Sequence, residues 1–413
     1  MSTIQKLEVR LTKSSRIERL VGTLAQARGR IYFEYAPEFL ATGHSLSPFK
    51  LPFAPGLFEH GDRRFGPLPG LFDDSLPDGW GLLLMDRHFG RLGRSQAEIG
   101  PLERLAFLGR HTMGALTYHA PAGQTPSREP DESLLALGDL ARNSLEILAG
   151  EAAEVLPRLL RAGSSPGGAR PKVLVGWAPS SDRIVTGEAE LPQGYEPWLV
   201  KFPSRRDEPH AGAVELAYAS MAGAAGIEMA KTRLFETTEG DRFFGTRRFD
   251  REGDERIHVH TLGNLIHADF RIPSSDYADL LKVTARLTRH SGHVLGAFRR
   301  AVFNVLAHNR DDHVKNFAFL LDDSTGLWSL SPAYDLTESA GPGGEHSMTI
   351  AGEGRDPGLQ DLERLAAKAG IARRDALAIV EEVRSVVSRW QEFADEAEVP
   401  RGVARRIGGL LRV

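Results

Sequence analysis

Ala307-His308-Asn309-Arg310-Asp311-Asp312-His313-Val314-Lys315-Asn316 is the stretch on which the reading of this chain turns. An apolar run, Phe317 to Leu321, follows it, and then Ser331-Pro332-Ala333-Tyr334-Asp335. An acid, four intervening residues and an asparagine, with a second acid after a short strand pair, is how many ATP-using phosphotransferases are built. In that arrangement Asp311 accepts the proton of an attacking hydroxyl, while Asn316 and Asp335 hold Mg²⁺ against the nucleotide phosphates. Lys315, inside the same loop, either stabilises the transferring phosphoryl charge or merely solvates the loop. The acid–four–asparagine spacing also recurs by chance, and a polar loop leading into a strand explains the stretch when it is taken alone. The rest of the chain has to decide.

Size and composition narrow the choice. The 413 residues suggest two or three domains, at roughly 100–200 residues each. A hydrophobic fraction of 41% supplies sizeable cores and argues against wholesale disorder. The net charge of -4 gives no basic character with which this chain alone would hold nucleic acid. Cysteine is absent, which excludes disulfides and thiolate metal sites and fits a reducing compartment. Met1 is followed by Ser-Thr-Ile-Gln-Lys with no apolar core of a secretory signal. No apolar run approaches the ~20 residues of a membrane span. The expectation is a soluble, cytoplasmic protein without membrane contact.

Periodicity gives an α+β chain in three parts. Residues 1–125 read as a β-rich N-terminal subdomain. Lys6–Leu11 and Arg30–Tyr35 alternate as half-buried strands do, and Thr112–His119 reads as a third strand. Asp78 is a candidate N-cap for a helix whose buried face includes Leu82, Leu83 and Met85, and a second short helix spans Pro101–Leu108. The polar stretch Pro121–Glu132 reads as a linker. Residues 126–255 resemble the small lobe of a kinase: a helix from Ser133 to about Ala162, a glycine-rich loop, the strand Val173–Trp177, the lysine-bearing strand Trp198–Phe202, a helix over Gly212–Gly226, and a strand pair. Residues 256–413 form a mainly helical lobe, with helices over Leu280–Leu287, Leu295–Ala307, Leu359–Gly370 and Ala376–Ala397 and a short one near Val403–Leu411. The second of these delivers the opening loop at its C-terminal end.

Several residues outside that loop can carry chemistry. Gly163–Gly168 has the spacing of a phosphate loop, but Ala169 stands where a Walker A lysine belongs. Glycines such as Gly167 and Gly168 still let backbone N–H groups approach phosphate oxygens, although an ordinary flexible turn has the same composition. Ser164 and Ser165 place hydroxyls at the phosphate end, so self-phosphorylation is open to this loop. Lys201 sits in an apolar strand, where an unpaired ammonium is costly. Glu215 on the next helix is its natural partner beside ATP phosphates, and the wet face of an edge strand is the alternative. Arg248, Phe249 and Asp250 lie where a hinge between lobes would bind adenine, with Asp250 either reaching a ribose hydroxyl or pairing with a neighbouring arginine. His258, His260 and His267 have no recognised zinc spacing and read as structural histidines.

Together these motifs resemble the HipA family, the serine/threonine kinase toxins of type II toxin–antitoxin operons. The residues that carry the resemblance are Leu76–Trp80, Gly163–Lys172, Val200–Pro203, Glu215–Gly226, Arg248–Arg251, Asn309–Asn316 and Pro332–Asp335. The resemblance implies a protein-kinase-like two-lobe fold with a β-rich N-terminal subdomain. It implies Asp311 as catalytic base, Asp335 and Asn316 on Mg²⁺, and Lys201 on the ATP phosphates. It implies autophosphorylation at Ser165, with Ser164 as a second site. It also implies a small DNA-binding antitoxin of the HipB type as partner and a protein substrate, aminoacyl-tRNA synthetases being targets of some members. Pro171 and Arg247 depart from the family pattern, which bears on substrate choice and nucleotide binding. Two other classes share parts of this pattern: a small-molecule kinase of the aminoglycoside-phosphotransferase type, and a non-catalytic kinase-like module that binds a partner. Asp312, adjacent to Asp311, reads as a structural neighbour rather than a rival base.

Overall fold

The computed structural model describes residues 5–14, 16–62, 64–121, 135–151, 157–163, 167–187, 190–204 and 210–413. These gather into two compact units, one of residues 1–208, 235–260 and 321–326 and the other of 209–234, 261–320 and 327–413. The expected linker around residues 122–132, Ser164 and Ser165 lie outside the described residues.

The first unit opens with β1 (Lys6–Ser14), β2 (Ile17–Ala27) and β3 (Arg30–Tyr35), then β4 (Leu57–Glu59) and β5 (Leu116–His119). They form an antiparallel sheet in the order β4-β3-β2-β1-β5. Along β1, Leu7, Val9 and Leu11 are buried while Lys6 and Glu8 face solvent, as the two-residue period requires. β2 had no clear alternation in the sequence because the pairing slips between Val9 and Arg10, which breaks the period. β5 begins at Leu116 rather than Thr112, because Gly114 leaves extended geometry at φ +69° and gives its N–H to the Asp250 carboxylate, 2.7 Å away.

Four helices lie between β3 and β5: α1 (Pro37–Leu40), α2 (Gly70–Asp73), α3 (Gly79–Arg91) and α4 (Pro101–Leu108). Asp78 does occupy the N-cap position of α3. The inward residues of α3 are Trp80, Leu84, Met85 and Phe89, whereas Leu82 and Leu83 are only half-buried. The long helix expected to end near Ala162 is two helices, α5 (Leu137–Ala149) and α6 (Pro157–Gly163). Gly150, left-handed at φ +76°, closes the first of them.

The second sheet of this unit is antiparallel around β6 (Lys172–Ala178), β7 (Arg183–Thr186) and β8 (Glu196–Lys201). With β9 (Thr232–Glu236) and β10 (Arg242–Arg247) its order is β7-β6-β8-β10-β9. Val173, Val175, Trp198 and Val200 form one face and pack with Trp80, Leu84, Leu140, Ile147 and Leu159 from α3, α5 and α6. The alternate residues are thereby turned to the other face. A tight hairpin, β11 (Arg251–Glu252) and β12 (Glu255–Arg256), and the strand β13 (His258–Thr261) follow.

The second unit is mainly helical: α7 (Ala211–Ala224), α8 (Leu262–Ile266), α9 (Tyr277–Thr288), α10 (Ser291–Leu306), α11 (Leu359–Lys368), α12 (Arg373–Val387), α13 (Trp390–Glu396) and α14 (Arg401–Gly408). β14 (Ala318–Asp322) and β15 (Leu327–Leu330) pair beside β13. α10 is packed on by α9 and α12 and buries Val294, Phe298, Val302 and Phe303. The single helix expected over Ala376–Ala397 breaks before Trp390, whose indole N–H turns inward to the Ala404 carbonyl at 2.9 Å. Among the described residues no helix is long and apolar enough to cross a membrane.

Candidate active site

The opening loop is built from the end of α10. Tyr218 of α7 donates its hydroxyl to the Ala307 carbonyl at 2.8 Å, which closes the helix. His308 then takes a left-handed conformation, φ +54°, and the chain turns away from the helix axis. Asn309 anchors the turn by donating Nδ2 to Oδ1 of Asn304, one turn back on α10, at 3.0 Å.

The two adjacent acids point in opposite senses. Asp312 is completely buried. Its carboxylate accepts the Tyr277 hydroxyl at 2.7 Å and the Ser347 N–H at 2.8 Å, and pairs with His346 Nδ1 at 2.7 Å. Burial, with Asp312 beside it, pushes the Tyr277 phenol well above its ordinary range and keeps it a donor. Asn304 Nδ2 also donates to that phenol, at 2.8 Å, so the loop rests on a continuous polar network. With Asp312 held inward, Asp311 is left exposed. Asn316 donates Nδ2 to the Asp311 main-chain carbonyl at 2.6 Å, which commits its nitrogen and leaves its oxygen as the atom for a cation.

Asp335 is brought to this loop by its neighbour: Tyr334 donates its hydroxyl to the Lys315 carbonyl at 2.7 Å. Asp335 itself is half-buried and left-handed at φ +54°, a conformation that a residue with a side chain adopts only when its surroundings impose it. Two contacts fix the chain just before it. Ala333 donates its N–H to the Glu228 carbonyl at 2.7 Å, and the buried Arg300 guanidinium donates to the Ser331 carbonyl. Burial lowers the Arg300 pKa to about 10. The Lys315 ammonium lies 4.7 Å over the Phe270 ring, and the His313 ring is 5.3 Å from the same aromatic. Asp311, Lys315, Asn316 and Asp335 therefore belong to one clamped surface of the second unit. Glu215 belongs to this unit too, buried on α7.

The remaining candidates are in the first unit. Lys201 lies directly across from Lys172 in the β6–β8 pairing, so the two lysines share a face. Leu174 opposite Leu199 and Gly176 opposite Pro197 continue that face. Beside Leu174 and Pro197 lies a small recess of about 20 Å³, room for a single water, also lined by Glu190, Leu191, Arg248, Arg251 and Asp254. Lys172 is buried, and Lys201 stands 5.5 Å over the Phe244 ring. Lys172 was visible in the sequence only as the end of the glycine loop; its pairing with Lys201 is a cross-strand relation that spacing along the chain does not reveal.

The described end of the glycine loop, from Gly167 on, is held by the Leu76–Trp80 stretch. Asp78 caps α3 with its backbone position, not its side chain: the carboxylate accepts the Gly168 N–H instead. Trp80 donates its N–H to the Gly168 carbonyl and its indole N–H to the Lys172 carbonyl, both at 3.0 Å. Gly79 is left-handed at φ +42°, and any side chain there would meet the backbone of Gly168 and Ala169. Gly167 lies against the same Asp78 carboxylate.

Of the two roles open to Asp250, the side chain takes the ion pair. It is 1% exposed and accepts two bonds from Arg248, at 2.7 and 2.9 Å, one from Arg251 at 2.8 Å, and the Gly114 N–H. Burial alone would raise its pKa, but the Arg248 and Arg251 charges outweigh this and hold it well below the carboxylate range. The Arg248 N–H is likewise engaged, with the Pro197 carbonyl at 2.9 Å. His258 bonds the Leu46 carbonyl and His260 bonds Asp74 and Ser47, so both are structural. Among the described residues no cluster of three or more His, Asp or Glu side chains could hold a metal.

The fold is one already seen in solved structures. It superposes on a chain of the Shewanella oneidensis MR-1 toxin–antitoxin complex of HipA, HipB and operator DNA with a TM-score of 0.70, at 16% identity, over 98% of this chain and 94% of that one. Residues 15–119 match the HipA N-terminal domain and residues 164–390 the HipA-like C-terminal domain, and the chain belongs to the HipA family. Two Sinorhizobium fredii proteins that carry kinase names are also similar. Y4dM is 24% identical over 47% of this chain, and Y4mE is 25% identical over 54%. The chain spans about half the length of each, 50% in both cases.

Proposed function

We propose that the protein is an ATP-dependent serine/threonine protein kinase of the HipA toxin type, acting in the cytoplasm. The observation that carries this reading is the strip of the β6–β8 pair on which Lys172 and Lys201 lie directly across from each other. Two ammonium groups side by side suit the phosphates of a nucleotide. The oxygen donors Asn316 and Asp335 suit Mg²⁺, a hard cation that prefers oxygen ligands. Bound there, Mg²⁺ would neutralise phosphate charge.

In this reading Asp311, exposed and fixed from behind, takes the proton of a serine or threonine hydroxyl. The hydroxyl oxygen bonds to the γ-phosphorus as the bond to ADP breaks. Lys201, with Glu215 as its partner, and Lys172 orient the phosphates, and Lys315 faces the transferred charge. Arg248 and Phe249 contribute to the base site through their position, and Asp250 through its hold on Arg248. Gly167 and Gly168 shape the loop against the phosphates. Ser165, with Ser164 beside it, is the self-phosphorylated position, and a cellular protein, an aminoacyl-tRNA synthetase by family analogy, is the external substrate. The HipA–HipB–DNA complex of the Shewanella relative supports a small DNA-binding antitoxin as partner.

Calorimetry tests the strip. Lys201→Ala should weaken Mg·ATP binding by about 10–100-fold, the worth of charge-assisted bonds to phosphate, and weaken AMP binding much less. Equal losses for both nucleotides, or none, would remove the strip from the nucleotide site.

A further inference from the structure

The segment after Asp335 is tied to the catalytic loop by the two residues that flank Asp311 in sequence. Arg310 donates its main-chain N–H to the Ser339 carbonyl at 3.3 Å, and Ser339 returns an N–H to His308 at 3.1 Å. The Arg310 guanidinium reaches across to two main-chain carbonyls, Gly344 and, at 3.2 Å, Arg355. The Arg310 carbonyl accepts the Ser347 N–H at 3.1 Å and its hydroxyl at 3.0 Å. On the other side of Asp311, Asp312 holds His346 and shares the Ser347 N–H. Gly341, left-handed at φ +71°, packs so closely on Arg310 that a side chain there would collide with it. Farther along, Thr349 and Gly352 are held by the Asp276 carboxylate at 2.7 and 2.8 Å.

Protein kinases commonly order the segment beside the catalytic loop by phosphorylating it, the added phosphate being read by arginines. Here the arginine next to the catalytic acid already spends donors on carbonyls, which need no modification. We propose that Arg310 and Asp312 are positioning residues that hold residues 336–356 in their working place without a phosphate. Transfer by Asp311 is then independent of phosphorylation in that segment. This rests on the kinase reading above, whose regulation it specifies.

The test is hydrogen exchange over residues 339–356, run alongside kcat, KM and Mg·ATP affinity, for wild type, Arg310→Lys, Arg310→Ala and Asp312→Asn. An ammonium keeps the charge of Arg310 but lacks the planar fork that spans two carbonyls, so Arg310→Lys should fail nearly as badly as Arg310→Ala. Exchange in the segment should rise in all three variants, and kcat should fall by about 100-fold, as small misplacements of a reacting group do. The Kd for Mg·ATP should not change. Phosphopeptide mapping of active wild type should find no phosphate on Thr337, Ser339, Ser347 or Thr349. Unchanged exchange in Arg310→Ala overturns the proposal, as does a wild type that is idle until phosphate is placed within residues 336–356. Wild type that binds no Mg·ATP overturns the kinase reading instead, and the exchange data still decide whether Arg310 and Asp312 hold the segment.

Discussion

Asp250 in the first unit and Asp312 in the second are both buried carboxylates beside residues expected to work, and they are satisfied in opposite ways. Asp250 is enclosed by guanidinium groups: Arg248 and Arg251 bond it, and Arg256 is close enough that its own pKa falls to about 9, through burial first and then the Arg248 charge. Asp312 is held by a phenol, an imidazole and a main-chain amide. The first arrangement is a charge cluster that welds β10, the β11–β12 hairpin and the Thr112–Gly114 turn together. The second is a pedestal whose effect is to turn the neighbouring Asp311 outward. An acid whose oxygens are all filled serves as scaffold, whichever groups fill them, and it is the exposed Asp311 that we propose does the chemistry.

Removing one charge should separate the two most strongly. Asp250→Ala leaves buried arginines without their carboxylate and should cost about 3–5 kcal/mol in urea unfolding. A loss near zero would mean that water or main-chain carbonyls already satisfy those guanidinium groups. Asp312→Asn keeps an acceptor but offers donors where two donors already point, and should cost about 1–3 kcal/mol. A loss as large as that of Asp250→Ala would erase the distinction between cluster and pedestal.

Acid sharpens the same comparison from the first unit. Burial, with His260 beside it, lowers the His258 pKa to about 3. Between that value and the ordinary 6.5 the unfolded chain binds the extra proton. Stability from this group is therefore complete above pH 6.5 and falls as the pH drops, by on the order of 1–2 kcal/mol between pH 6.5 and 5. His258→Asn should flatten that slope, and a slope that persists unchanged would place its origin elsewhere. Asp78, another mostly buried acid, makes the smallest contribution of these groups. Asp78→Ala removes one bond to Gly168 and should cost about 1 kcal/mol while loosening exchange at the glycine loop.

Local periodicity carried much of the fold. β1, β3, β6, β8, α4, α7 and α10 stand where apolar spacing puts them. The chain departs from that pattern where a left-handed glycine or a contact distant in sequence overrules it. Gly150 splits one helix, Trp390 turns another, and Gly114 shortens a strand to serve Asp250. The acid–four–asparagine loop was legible as a motif. Its supports were not, because Tyr277 and His346 lie about 35 residues to either side of Asp312. Asp78 was legible as a helix boundary, but its bond to Gly168 spans 90 residues, and no pattern within a window of one helix can show it.

The central claim is that Asp311 moves phosphate. Its most direct test is intact-mass and phosphopeptide analysis of the purified protein with Mg·ATP, wild type beside Asp311→Asn. Wild type should gain phosphate on Ser165 or Ser164, and Asp311→Asn should gain none while still binding nucleotide. Wild type that binds ATP but labels neither itself nor any protein in a cell lysate would contradict the account, as would equal labelling of the two proteins.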